Sequence, residues 1–256
     1  MDDFEKKIEE LALYIAGSDN IVFFGGAGVS TESGIPDFRS SSGIYSDSGD
    51  EYGAPPEVML SNTYFFDQTE SFYKFYKTKM LYLDAEPNQA HKTLAKLEKL
   101  GKLSAVVTQN IDGLHQKAGS KNVVELHGSV ADNFCLKCKK KFDVAYVVSS
   151  SGVPRCDNCG GIVKPKVTLY EERLDYETVR CAIDYITRAN MLIVGGTSLS
   201  VYPAAHFASR FFAENKNPGK KSAIINKTET SYDKMFDICF QNSIGEVLVK
   251  ACAALF

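Results

Sequence analysis

The sequence predicts an α/β protein: a doubly wound parallel sheet with a smaller lobe set against it. Three observations carry that expectation. Short apolar runs alternate with stretches of helical periodicity through most of the chain. Several of these runs lead straight into glycines or small polar residues, as buried parallel strands do where their carboxyl ends face a cleft. Two stretches, Ser40 to Leu83 and Asp132 to Pro165, break the alternation and read as insertions that together build the smaller lobe. A length of 256 residues corresponds to about 1.7 average domains, which suits one large domain carrying insertions.

Phe4, Ile8, Leu11, Ala12 and Ile15 recur at helical spacing, and Gly17 stops the helix. Ile21 to Phe24 is a continuous apolar run ending in glycines, a strand buried on both faces. From Asn88, a helical period (His91, Leu94, Ala95, Leu97, Leu100) continues to Gly101, and a strand follows at Leu103 to Val107. A short helical stretch stops near Gly119, ahead of a strand at Val123 to Leu126. Tyr176 to Ala189 reads as helix, Met191 to Val194 as strand, and Pro203 opens the next helix as a first-turn proline. Ala223 to Ile225 is a further buried strand, and Ser243 with Glu246 has capping-box spacing ahead of the last apolar helix.

Composition removes several classes. Hydrophobic residues make up 44% and charged residues 24%, too apolar a mixture for a disordered chain. The net charge of −3, from 29 basic and 32 acidic side chains, argues against a protein held to nucleic acid by phosphate contacts. No apolar run reaches the roughly 18 residues that span a bilayer, so no membrane partner is expected. The N-terminus, MDDFEKKIEELALYIAG, is acidic and amphipathic and does not read as a signal peptide. A cytoplasmic location and reduced cysteines follow as expectations. Cys181, Cys239 and Cys252 sit among apolar neighbours and read as small core residues. Nothing in the sequence requires an oligomer.

Four motifs carry chemistry. Gly25-Gly26-Ala27-Gly28-Val29-Ser30 follows the strand IVFF, where glycines allow a backbone to approach a pyrophosphate and the next helix N-terminus supplies amide donors. Position 31 is Thr31 rather than a third glycine, and no acidic residue stands where a ribose-binding one is normally found, so a ligand-free strand-to-helix turn remains the alternative. Cys135-x2-Cys138 and Cys156-x2-Cys159 flank the 17 residues Lys139 to Arg155 and supply four thiolates for one zinc ion. With sulfur in every position, such a site is structural, and Lys137, Lys139, Lys140 and Lys141 would offset its negative charge. Gln109, Asn110 and Asp112 lie at the end of one strand and His127 at the end of the next, where doubly wound sheets bind ligands. Gly196, Thr197 and Ser198 follow MLIVG, and Asn226 follows AII, at two further strand ends.

GAGVSTESGIPDFR (Gly26 to Arg39), TQNIDGLHQKAGS (Thr108 to Ser120), ELHGS (Glu125 to Ser129), the two cysteine pairs, GTSLSVYPAA (Gly196 to Ala205) and IIN (Ile224 to Asn226) together resemble the sirtuin family of NAD-dependent protein deacylases. The likeness runs from about Asn20 to Leu248. It implies a single catalytic domain over 1–256, with a Rossmann-like large lobe from 1–39, 84–131 and 166–256. A helical module over 40–83 and a zinc-binding module over 132–165 form the small lobe. It also implies that NAD is consumed as a co-substrate. The oxygen of an acyl-lysine attacks the nicotinamide ribose, nicotinamide leaves, and the acyl group departs as O-acyl-ADP-ribose. By motif match His127 is the general base, with Asn110 beside it as a second catalytic residue and Asp112 ordering ribose and nicotinamide. Gly26, Ala27, Gly28, Thr31, Phe38, Arg39, Gln109, Ile111, Gly196, Thr197, Ser198, Asn226, Lys227 and Ile244 match NAD-contacting positions, and Asp37 matches the nicotinamide pocket. Thr168, Tyr170, Glu171 and Val201 fall on the segments that face an acyl-lysine peptide.

The chain departs from the family at Gly25, where threonine is usual, and at Tyr170-Glu171-Glu172, where Phe-Gly-Glu is usual. The resemblance places the peptide as an added strand between Tyr170-Glu171-Glu172, in extended conformation, and Ser198-Leu199-Ser200-Val201. It also implies uncharged acyl groups, because sirtuins that take acidic acyls carry Tyr-x-x-Arg where this chain has Tyr73-Lys74-Phe75-Tyr76. Mono-ADP-ribosyl transfer to protein, and a non-catalytic NAD or ADP-ribose sensor, are the alternative functions.

Overall fold

Ile21–Gly25 forms strand β1, and all five of its residues are buried. A strand with no polar face needs a neighbour on each edge and a covering layer on each side. Its parallel neighbours are β2 (Leu103–Thr108) and β7 (Met191–Gly195). Beyond them lie β3 (Val123–Glu125) on one side, and β8 (Lys221–Asn226) and β9 (Ile238–Gln241) on the other. The sheet order is β3-β2-β1-β7-β8-β9, all parallel. Counted within this sheet, that is the 3-2-1-4-5-6 order of Rossmann folds, and the order reverses between β1 and β7. The computed structural model describes residues 2–38, 43, 54–200, 204–213 and 219–256.

Successive strand residues point to opposite faces, which separates the core into two layers. Ile21, Phe23, Met191 and Ile193 pack with helices Asp3–Gly17, Gln89–Lys99 and Ile244–Ala251. Val22, Phe24, Leu192 and Val194 pack with helices Tyr176–Arg188 and Ala204–Ala213.

A third core belongs to the small lobe. Strands β4 (Gly128–Cys135), β5 (Lys141–Phe142) and β6 (Val163–Val167) form an antiparallel sheet in the order β5-β4-β6. Phe65, Phe72, Tyr73 and Phe75, from helices Asn62–Asp67 and Thr69–Phe75, pack against Val130, Val163 and Leu169. Both insertions therefore share one apolar cluster. The second of these helices continues into a π-helical turn, Tyr76–Met80. Among the described residues, no helix is long and apolar enough to cross a membrane.

Three sequence expectations need correction. After β1 the chain makes two short 3₁₀ turns, Ala27–Val29 and Thr31–Ser33, so no long helix begins at the glycine loop to aim a dipole at a ligand. Ser243 precedes the last helix as its cap residue but forms no capping box, because its hydroxyl donates instead to the Glu32 carboxylate. Cys181 is exposed on helix Tyr176–Arg188 and is not a core residue, whereas Cys252 is buried. Pro203 lies outside the described residues.

Candidate active site and metal centre

The carboxyl ends of β1, β2, β7 and β8 open into one cavity of about 710 Å³. The reversal of strand order beside β1 leaves this space, since the chain crosses to opposite faces on its two sides. Two loops close against each other at its floor. The Gly28 amide donates to the Gly196 carbonyl at 2.8 Å, and a Cβ on Gly28 would stand 2.7 Å from Gly196 Cα. Gly196 itself has φ +61, and a Cβ there would meet the Val29 nitrogen at 2.4 Å. These glycines are required by the approach of one backbone to the other.

Polar side chains fasten the next layer. Asn226 accepts from the Thr197 amide at 3.0 Å and donates to the Thr197 carbonyl at 3.1 Å. Gln109 Nε2 donates to Thr197 Oγ1 at 3.0 Å, tying the end of β2 to the loop after β7. Asn110 Nδ2 donates to Ser30 Oγ at 3.0 Å, and Ser30 donates to Asp112 Oδ2 at 2.7 Å. Asp112 also accepts from the Leu114 amide at 2.9 Å. Asn110, Ser30 and Asp112 are thus one hydrogen-bonded unit.

His127 stands between β3 and β4, with Nδ1 2.9 Å from the Gln109 carbonyl oxygen. A carbonyl can only accept, so Nδ1 carries the proton and Nε2 is left as the basic atom. Burial pushes the imidazole below its ordinary pKa, opposed by the Gln109 hydrogen bond. The neutral ring is therefore the resting form at pH 7.

The four cysteines of the small lobe bring their sulfurs within 4.8 Å of one another. Cys135 and Cys159 Sγ are 3.4 Å apart, and Cys138 and Cys156 Sγ 3.6 Å. Sulfurs at about 2.3 Å from a tetrahedral zinc are separated by about 3.8 Å, so the donor set fits one zinc ion. None of the four borders the cavity. Lys140 pairs with Asp157 at 2.7 Å, so its charge is shared with that carboxylate and does not serve the thiolates alone.

Residues 26–203 match the sequence model of the Sir2 family. This chain belongs to that family. Among similar proteins is an NAD-dependent protein deacetylase of Clostridium acetobutylicum, 56% identical over 243 residues that cover 94% of this chain and 96% of the relative. A protein of the same name from Clostridium tetani is 53% identical over 247 residues, 96% of each chain. A solved Sir2 structure with p53 peptide and NAD+ superposes with a TM-score of 0.84 at 37% identity, covering 96% of this chain and 98% of that one. Another Sir2 bound to acetylated peptide gives 0.83 at 36% identity, with coverage of 96% and 98%.

Within this Sir2 chain, the nucleotide-facing and peptide-facing residues expected from the sequence border this cavity, except Leu199 and Ser200, which do not line it, and Arg39 and Val201, which lie outside the described residues. Asp37 and Phe38 come to it from one loop, Ile111 from the end of β2, Lys227 from the end of β8 and Ile244 from the last helix. One conformational expectation fails. Tyr170-Glu171-Glu172 is not extended, because Glu171 has φ 73 and the segment turns there. The reason lies in the neighbouring helix. Its start is bound by Tyr170 (Asn62 amide to Tyr170 carbonyl, 2.9 Å) and by Glu171 (Thr63 amide to Oε2, 2.8 Å). Glu172 accepts from Asn62 Nδ2 at 2.8 Å and the Leu169 amide at 2.9 Å, and pairs with Lys164 at 3.2 Å.

Sequence reasoning missed Ser30 as the link between Asn110 and Asp112. It was visible only as the last letter of GAGVS, and serine after a glycine loop is a common turn former. Glu32, Thr228 and Asn242 also border the cavity without having been singled out.

Proposed function

We propose that this chain is an NAD-dependent protein-lysine deacetylase. NAD, water and an acyl-lysine give nicotinamide, free lysine and O-acyl-ADP-ribose. The observation that carries the reading is His127: a neutral imidazole held in one tautomer by Gln109, beside the Asn110–Ser30–Asp112 unit and the paired glycine loops. The relatives' name and the peptide and NAD+ in similar structures support it.

The loops after β1 and β7 bind the nucleotide, with Gln109, Thr197 and Asn226 holding the second loop in place. Asn110 and Asp112 orient the nicotinamide ribose. Phe38, bordering the same cavity, shields the reacting sugar carbon from water. Nε2 of His127 takes the proton from the ribose hydroxyl that captures the acyl carbon. Thr168, Tyr170 and Glu171 form the edge where the acyl-lysine peptide lies; by motif match alone, Arg39 belongs with the nucleotide contacts and Val201 with the peptide contacts. One zinc on Cys135, Cys138, Cys156 and Cys159 holds the small lobe together without entering the chemistry. The lobes divide as 1–39, 84–131 and 166–256 for the large one, and 40–83 with 132–165 for the small. A cytosolic location is part of this reading, supported by paired cysteines that would hold a metal, an arrangement that suits a reducing compartment.

The test is incubation with NAD and an acetyl-lysine peptide, followed by mass spectrometry. Nicotinamide and O-acetyl-ADP-ribose are the expected products. ADP-ribosylated protein in their place would indicate the transferase, and no nicotinamide release with any acyl-peptide would indicate a sensor. His127→Ala should keep NAD binding and lose roughly 100-fold or more in turnover. Turnover within a few-fold of wild type would remove the histidine from this role.

A further inference from the structure

The glycine loop after β1 and the start of the last helix meet at one point. Ser243, 211 positions further along the chain, donates its hydroxyl to the Glu32 carboxylate. The other carboxylate oxygen lies over Gly245, where a Cβ would stand 2.4 Å from Glu32 Oε2. Gly245 is buried in the first turn of helix Ile244–Ala251 and has no positive φ that would call for a glycine. At an ordinary helical position alanine is the better helix former. The missing side chain is therefore room for the carboxylate, which a helix start favours electrostatically.

This contact joins two walls of the cavity. Thr31 and Glu32 border it from the 3₁₀ turn Thr31–Ser33, and Asn242 and Ile244, on either side of Ser243, border it from the start of the helix. Each wall has anchors of its own. On the loop, Asn88 Nδ2 donates to the Val29 carbonyl at 2.8 Å and to Ser33 Oγ at 3.0 Å, and Ser30 donates to Asp112. On the helix, Ile244, Val247, Leu248 and Ala251 are buried in the large-lobe core. Ser243 gives its own helix no side-chain cap, so its hydroxyl is committed to Glu32. Cutting the contact therefore unseats one wall from the other and leaves both folded.

We infer that Glu32 is a positioning residue for the co-substrate: by seating the glycine loop on the first turn of the last helix, it sets the width of the NAD-binding end of the cavity. It acts on neither His127 nor the acyl-lysine edge. Hydrogen bonds to a dinucleotide hold over a range of about half an ångström, so walls free to part bind NAD more weakly. Proton transfer at His127 Nε2 is left as it was. This rests on the NAD-dependent deacylase reading given above.

The experiment uses the full chain and its variants Glu32→Ala, Ser243→Ala, Gly245→Ala and Ser243→Thr, with the double variant Glu32→Ala/Ser243→Ala. Calorimetry measures ADP-ribose binding, and turnover gives kcat and the KM values for NAD and an acetyl-lysine peptide. Each alanine variant should weaken ADP-ribose binding and raise KM for NAD about five- to tenfold, the scale of one net hydrogen bond. Meanwhile kcat and KM for the peptide should stay within about twofold of wild type. Ser243→Thr keeps the hydroxyl and should stay near wild type. The double variant should lose no more than either single one, because both remove the same contact. In Gly245→Ala the new methyl displaces only the end of a flexible side chain, so its melting temperature should hold or rise while NAD binding falls. Gly245→Ala binding ADP-ribose as tightly as wild type would overturn the inference. So would additive losses in the double variant, or kcat and peptide KM worsening in step with KM for NAD. A wild type that binds ADP-ribose but leaves the acetyl peptide unchanged would overturn the deacylase reading instead, a distinct result.

Discussion

His91 and His115 have ring centroids 4.6 Å apart, and both are buried. Desolvation lowers His91 to about 4, against the opposing pull of Asp112 and Glu32. Desolvation, with His91 as a second cause, lowers His115 to about 3. Below about pH 6.5 the unfolded chain takes up protons that the folded chain refuses. Stability is therefore lost as pH falls from 6.5, at about 1.4 kcal/mol per pH unit for each such histidine, down to about pH 4 for His91 and about pH 3 for His115. His115→Phe removes one of these sites. Denaturant unfolding of wild type and variant between pH 7 and pH 4.5 should give curves whose difference changes by about that slope. Parallel curves would contradict the neutral-pair assignment. The same direction applies to His127, whose depressed pKa should place the acid limb of the rate profile below the ordinary histidine value. A pH–kcat/KM profile with its acid limb above 6.5 would contradict this.

At the scale of elements, the turn 170–172 and the helix Asn62–Asp67 are bound as one unit that borders the cavity. Glu171 contributes in two opposing ways. Its backbone sits at φ 73, where residues with a Cβ are strained, while its carboxylate accepts the Thr63 amide; hydrogen bonds from the Thr63 side chain and then its amide hold the carboxyl below its ordinary pKa. Glu171→Ala keeps the strain and loses the hydrogen bond. Glu171→Gly loses both. Melting temperatures should therefore rank wild type and Glu171→Gly close together, with Glu171→Ala below both. KM for the acyl-peptide should rise most in Glu171→Ala, while KM for NAD stays fixed. An alanine variant as stable as the glycine one would show that the positive φ carries no cost. The turn's need for a left-handed residue was legible only as a family glycine at that position. That glutamate would accept the same conformation depended on a helix start lying within reach of its side chain.

For the whole molecule, the two insertions are joined by one apolar cluster in which Cys135 and Cys156 are buried beside Phe65 and Val163. Zinc on the four thiolates should govern the small lobe while leaving the six-stranded sheet standing. Metal analysis should find one zinc per chain. After chelation, amide exchange should accelerate in β4 and β6 while β1 and β7 stay protected, with deacetylation lost. A Cys156→Ala protein that is fully folded and active would refute this. Much of the architecture was legible because its causes are local. Runs such as Ile21 to Phe24 and Met191 to Val194 have no polar face and must be covered on both sides, and paired Cys-x-x-Cys units carry their ligand set in their spacing. Other features became visible only in three dimensions. Ser30 joins Asn110 to Asp112 across about 80 residues of sequence, Ser243 abandons its own helix for Glu32, and Tyr76 keeps a buried hydroxyl with no partner among the described residues. The sequence by itself determined the strand order's raw material, the metal ligands and the residue types of the cleft. Which polar atoms found partners was decided by tertiary packing, because a hydrogen bond depends on distances between segments that sequence spacing does not set.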